Sequence, residues 1–109
     1  MRTGSMAFIE VTTTSDSAEV LEGIADALVR KRLAACVQVS GPVRSVYRWR
    51  GRIVHATEWK CTIKTTKSAY RNVEAEILKR HNYSLPQVTA IDIAGGSKDY
   101  LGWMGEGVA

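Results

Sequence analysis

A chain of 109 residues, 45% hydrophobic and 24% charged, has ordinary globular composition; this excludes intrinsic disorder and leaves room for one domain rather than two independent cores. Net charge is +4 with a pI near 9.3, so nucleic acid has to be weighed as a partner. Much of the excess sits in Arg30, Lys31 and Arg32 and in Arg44, Arg48, Arg50 and Arg52, which suit a helix C-terminus and a guarded hairpin, and without an arginine-rich tail, an RNP-like motif or zinc-finger spacing no nucleic-acid partner is expected.

Residues 1–5 precede a second methionine, Met6, and are expected to be a leader outside a single domain spanning residues 6–109. Residues 7–13 form a short apolar, β-branched run that predicts a strand. Asp16 follows as a helix N-cap, with Glu19 completing a capping-box-like pair. Val20, Leu21, Ile24, Ala25, Leu28 and Val29 then recur at three- and four-residue steps, an amphipathic helix whose outer face carries Glu22, Asp26 and Arg30.

Residues 35–39 alternate as a strand until Gly41-Pro42, where a bulge or bend is expected. The strand resumes over 43–49, turns at Arg50-Gly51 and returns from Ile53 to about Thr66. In the return strand Trp59, Cys61 and Ile63 share the core face, and Glu58, Lys60, Thr62 and Lys64 share the other. A second helix fits 68–81, capped by Ser68 and lined by Ala69, Val73 and Ile77. Pro86 keeps the connector 82–87 extended. Residues 88–94 predict the last strand, 97–104 a short closing helix, and the Gly-rich tail from Gly105 is expected to fray. The order is βαββαβ, an α+β ferredoxin-like sandwich with both helices on one face of the sheet.

The hairpin is long for so small a sheet, and Val46, Tyr47, Trp49 and Ile53 load its end with apolar surface. Left in water, such an arm invites aggregation, so pairing with neighbouring subunits in closed symmetry is the expected resolution. Cys36 and Cys61 lie in apolar stretches and read as buried free thiols. No apolar run reaches the length of a membrane span and no signal peptide is evident. The cytoplasm is therefore the expected compartment, with no membrane partner.

Chemistry-bearing motifs are sparse. His55 and His81 stand far apart, and CxxC, HExxH, Walker A and GxGxxG patterns are missing, so neither a preformed metal cage nor a phosphate loop is expected within one chain. Cys36 with His81 could pair as nucleophile and base, but a strand cysteine is far more often core, and catalysis is not expected. A polar and aromatic set remains, comprising Glu58, Lys64, Tyr47, Trp49, His81, Tyr83, Tyr100 and Trp103. Its members fall near strand ends or in connectors, where sites concentrate. Glu58 and Lys64 read equally well as an ion pair on a sheet face.

Several blocks carry a resemblance: Val11-Thr12-Thr13; Arg32-Leu33-Ala34-Ala35-Cys36-Val37; Ser45-Val46-Tyr47-Arg48-Trp49-Arg50-Gly51-Arg52-Ile53; Glu58; and Ile63-Lys64-Thr65. His81-x-Tyr83-x-x-Pro86 and Tyr100-Leu101-x-Trp103 complete them. Together they resemble, in order and spacing across nearly the whole chain, the CutA family of divalent-cation tolerance proteins. The resemblance implies a homotrimer similar in architecture to the PII signalling proteins, and a binding or signalling role rather than an enzymatic one. It also implies a link to copper, with Cu2+ as the metal to test, His81 as its ligand, and an inter-subunit ligand pocket of Cys36, Tyr47, Trp49, Glu58, Lys64, Tyr83, Tyr100 and Trp103. A PII-like module that binds an unidentified protein partner is the alternative it leaves. Asn82 and Gln87 depart from the family's usual proline and glutamate, and Gln87 supplies no anionic ligand.

Overall fold

The computed structural model describes residues 7–109, so the leader expected at 1–5 lies outside the described residues. Strand β1 (Phe8–Ser15) alternates as its sequence does, turning Ile9, Val11, Thr13 and Ser15 into the core. Helix α1 (Ala18–Arg30) buries Leu21, Ile24 and Leu28 of the predicted stripe and adds Ala27, while Val20 and Ala25 are half-buried and Val29 is exposed. Its cap is not Asp16. The Ser17 hydroxyl accepts the Val20 N–H at 3.3 Å, while the Asp16 carboxylate accepts from the Asn82 amide at 2.8 Å. Either residue type caps well, so the short-range pattern could not separate neighbours; the long-range bond to Asn82 does.

Strands β2 (Cys36–Trp49) and β3 (Arg52–Thr66) form the long hairpin, and a 3-10 turn (Lys67–Ala69) leads into helix α2 (Tyr70–Arg80). Ser68, expected as the α2 cap, instead shares a hydrogen bond of 3.2 Å with Thr66, and no side chain among the described residues caps α2. Val73 and Ile77 are buried against α1, as their four-residue step requires. Strand β4 (Thr89–Asp92) is shorter than the expected 88–94 run and wholly exposed. Among the described residues it is an edge strand, bonded to β1 alone in the sheet order β2-β3-β1-β4. All neighbours in that order are antiparallel, the arrangement of a ferredoxin-like sheet with α1 and α2 on one face.

The hairpin changes phase at Gly41-Pro42. Ser40 stands opposite Lys60 and Val43 opposite Glu58, so two residues of β2 face Trp59 alone. Side-chain direction alternates with a period of two, and this one extra residue reverses which parity points where. Cys36, Gln38 and Ser40 share the face of Lys64, Thr62 and Lys60 before the bulge; Val43, Ser45, Tyr47 and Trp49 share that same face after it. Only glycine fits the bend. Gly41 has φ +146°, and a Cβ there would lie 2.6 Å from Trp59 Cδ1. Trp59, expected in the core, is partly buried and packs against the core cluster. At the tip Arg50 and Gly51 both take positive φ, 51° and 79°, the two-residue turn that matches strand twist. The arm stretches the molecule to 51 × 25 × 22 Å, with Val46 and Ile53 61% and 55% exposed.

Helix α3 (Lys98–Gly107) starts with Ser97 accepting the Tyr100 N–H at 3.3 Å. It brings the Tyr100 ring over Lys64, the ammonium 5.7 Å from the ring centroid, and so covers part of the sheet face opposite α1 and α2. The tail does not fray as its glycines suggest. Gly107 lies against Ala35, the Ala109 N–H donates to the Arg32 carbonyl at 2.9 Å, and the Arg32 guanidinium donates to the Glu106 carbonyl. Tertiary docking overrides local glycine content here.

Candidate functional site

A cleft of about 810 Å³ runs between the face of the arm and the connector after α2. The strand side supplies Thr14, Ser45, Val46, Tyr47, Trp49 and Glu58; the connector supplies residues 82–87. Four of the expected site residues therefore meet here: Tyr47, Trp49, Glu58 and Tyr83. The bulge makes this possible, since without it Tyr47 and Trp49 would point to the opposite face from Glu58. Leu85, Pro86 and Gln87 form the other wall; the sequence marks Pro86 as the stiff part of an extended connector and Gln87 as a departure from a glutamate, but places none of the three in the ligand-binding set.

Glu58 is buried to 5% exposure and accepts the Tyr83 phenol at 2.7 Å through Oε2. Burial, then that hydrogen bond and the negative charges of Glu58 and Asp16, push the Tyr83 hydroxyl well above the ordinary tyrosine value, so it stays a donor. Its ring lies 4.9 Å from that of His81. His81 sits behind the cleft as the C-cap of α2, and both its nitrogens are engaged. The Tyr83 N–H donates to Nδ1 at 3.0 Å, and Nε2 lies 2.8 Å from the Thr14 carbonyl. Nδ1 is thus the bare nitrogen, and Nε2 carries the proton it gives to Thr14. The lone pair a metal would use is already taken. Asn82 extends the link, its Oδ1 accepting from the Ser15 hydroxyl at 2.7 Å.

The other expected residues lie elsewhere. Cys36 pairs with Lys64 across β2 and β3, and Lys64, Tyr100 and Trp103 gather at the α3 end of the face. Glu58 and Lys64 are not the ion pair their alternation allows. Six residues of one strand put them about 20 Å apart. Cys36 likewise stands apart from His81, which bonds Thr14 at the far end of β1, so no nucleophile–base pair forms. Burial raises the Cys61 thiol to about 12, an inert core group. Among the described residues, no three of His, Cys, Asp and Glu gather as a metal site. A second hollow, of about 840 Å³ between β4 and α3, holds none of the expected site residues.

The chain matches the family model of the CutA1 divalent ion tolerance protein over residues 9–107. It is 40% identical over 96 residues to the divalent-cation tolerance protein CutA of Thermus thermophilus, covering 88% of this chain and 93% of that protein. The corresponding protein of Archaeoglobus fulgidus is 39% identical over 95 residues, 87% and 92% of the two chains. Among solved structures, the Thermus thermophilus divalent cation tolerance protein superposes with a TM-score of 0.90 at 37% identity, covering 94% of this chain and 99% of the other. CutA1 from Oryza sativa gives 0.91 at 30% identity, covering 94% of each. These names speak of tolerance of divalent ions rather than of a reaction. With family model, sequence and fold in agreement along nearly its whole length, the chain belongs to the CutA family of divalent-cation tolerance proteins.

Proposed function

We propose that the protein is a cytoplasmic homotrimer that binds a divalent cation, Cu2+ first among them, or a small ligand at subunit interfaces, and that it acts by binding rather than by catalysis. The observation that carries this reading is the arm: a long, exposed, apolar hairpin whose inner face lines an open cleft with a buried carboxylate at its base. Among the described residues both sheet edges, β2 and β4, are unpaired, so strand pairing between copies can complete them. Cys36 and Cys61 as free thiols suit a reducing compartment.

Within one chain the residues do not fit a transition-metal cage, because His81 uses both nitrogens and no ligand triad gathers among the described residues. This favours a second reading, in which the trimer is a PII-like module for a protein partner and metal affinity is incidental. Calorimetric titration of Cu2+ into the protein and into His81→Ala separates the two. The first reading expects stoichiometric uptake that weakens at least tenfold in the variant, since neutral imidazole suits Cu2+. Unchanged affinity in His81→Ala removes that ligand and favours the second.

A further inference from the structure

Glu58 is a buried carboxyl group without a cationic partner among the described residues. At 5% exposure its one side-chain partner among the described residues is the Tyr83 phenol, on Oε2, and no lysine, arginine or histidine forms an ion pair with it. Buried charges are ordinarily paired, because an unpaired one forfeits hydration with nothing in exchange. The neighbouring groups cannot neutralise it. Tyr83 is held as a neutral donor, its N–H fixed on His81 and its hydroxyl kept protonated by burial. The nearest strand cation on the same face, Lys60, is exposed and forms no ion pair among the described residues. Yet the carboxylate opens on a cleft of about 810 Å³, walled by the half-exposed rings of Tyr47 and Trp49 on one side and by Leu85 and Pro86 on the other. An acidic floor beneath aromatic and aliphatic walls suits a positively charged head on an apolar stem.

We propose that the Glu58 end of the cleft is a binding site for an ammonium or guanidinium group, an inference that rests on reading this cleft as the ligand site. That group has two sources. One is a free alkyl- or arylalkylamine, or the corresponding guanidine. The other is Lys64 of a second copy. Within its own chain Lys64 lies about 20 Å from Glu58 by strand rise. Its ammonium forms no ion pair among the described residues, even with Glu10 across the strand, and leans over the Tyr100 ring instead. Lys64 and Glu58 share one sheet face, so a head-to-tail contact between copies brings the basic end of one face to the acidic end of the next.

Two measurements on the full chain test the site and assign the source. The first titrates 4-phenylbutylamine, and 4-phenylbutyrate as the matched anion, into wild type and Glu58→Gln, following amide shifts by NMR. A free-ligand site gives amine binding at least tenfold tighter than the carboxylate, lost in Glu58→Gln with the oligomer unchanged. The second compares native masses of wild type, Glu58→Lys, Lys64→Glu, the double exchange and, as control, Lys60→Ala. A Lys64 source gives smaller assemblies for each single exchange, recovery in the double exchange, and no effect of the control. The proposal is overturned if the amine binds no better than the carboxylate and Glu58→Lys assembles as wild type does. A wild-type chain that is monomeric and still selects the amine would contradict the trimer while leaving this site standing, so the two failures are distinct.

Discussion

Single residues hold the cleft in shape through few bonds, so their removal should be measurable. Tyr83→Phe deletes the donor to Glu58 and leaves a buried carboxylate unpartnered. Losing a hydrogen bond to a charged group should cost about 1.5–3 kcal/mol, read as a lower urea midpoint without a change in slope. Glu76 offers a pH test on the opposite side of the molecule. It is buried between helices, bonded by Arg80 and by Lys31, and these partners hold its carboxyl below the usual glutamate range. A folded value below the unfolded one means that its contribution is fully present above the unfolded value. That contribution is lost as pH falls through the folded value. Glu76→Gln should therefore melt below wild type at neutral pH, and the gap should close as the pH falls below about 4. At this scale the sequence was least legible. Asp16 and Ser17 are equally good caps by type, and only the Asn82 bond, sixty-six residues away, decides between them. The engagement of both His81 nitrogens was equally hidden, because it depends on where β1 ends relative to α2.

At the level of elements, the bulge is the feature on which the site depends. Gly41-Pro42 was readable as an interruption of β2, since a strand proline and glycine seldom mean anything else. Its consequence, that Tyr47 and Trp49 join the face of Glu58, follows once the register is known. Gly41→Ala should destabilise the fold by about 1–3 kcal/mol, because its Cβ would overlap Trp59 at a positive φ. A thermal melt checks it, and wild-type stability would mean that Trp59 is free to move. The helices were legible for a simple reason. Leu21, Ile24 and Leu28, and Val73 and Ile77, recur at the period that faces one core. The α3 tail was not legible, because its order comes from Ala35 and Arg32 rather than from its own glycines. β4 was overestimated at both ends because its apolar run continues past the residues that β1 can pair.

Taken whole, the molecule has a well-packed body and an arm that body does not need. Leu21, Ile24, Leu28, Ile63, Val73 and Ile77 close one core between the sheet and two helices, and none of it depends on the hairpin tip. Val46, Tyr47, Trp49 and Ile53 remain exposed, beside two open sheet edges. Apolar surface of this kind is what association between copies would cover. The sequence displayed this directly, because the length of the hairpin and its aromatic load are both written in residues 36–66. What it could not display was the division of the site residues into an acidic group at the cleft and a basic group near α3, which only the strand register separates. Replacing Val46 and Ile53 together by Thr should weaken assembly without unfolding the body, with sedimentation reporting smaller particles and circular dichroism unchanged. The most direct test of the account is the native mass of the unmodified chain at micromolar concentration. Association through the arm and both edges predicts a single species of three chains, three times the 12.0 kDa protomer; a stable, folded monomer across that range would contradict it.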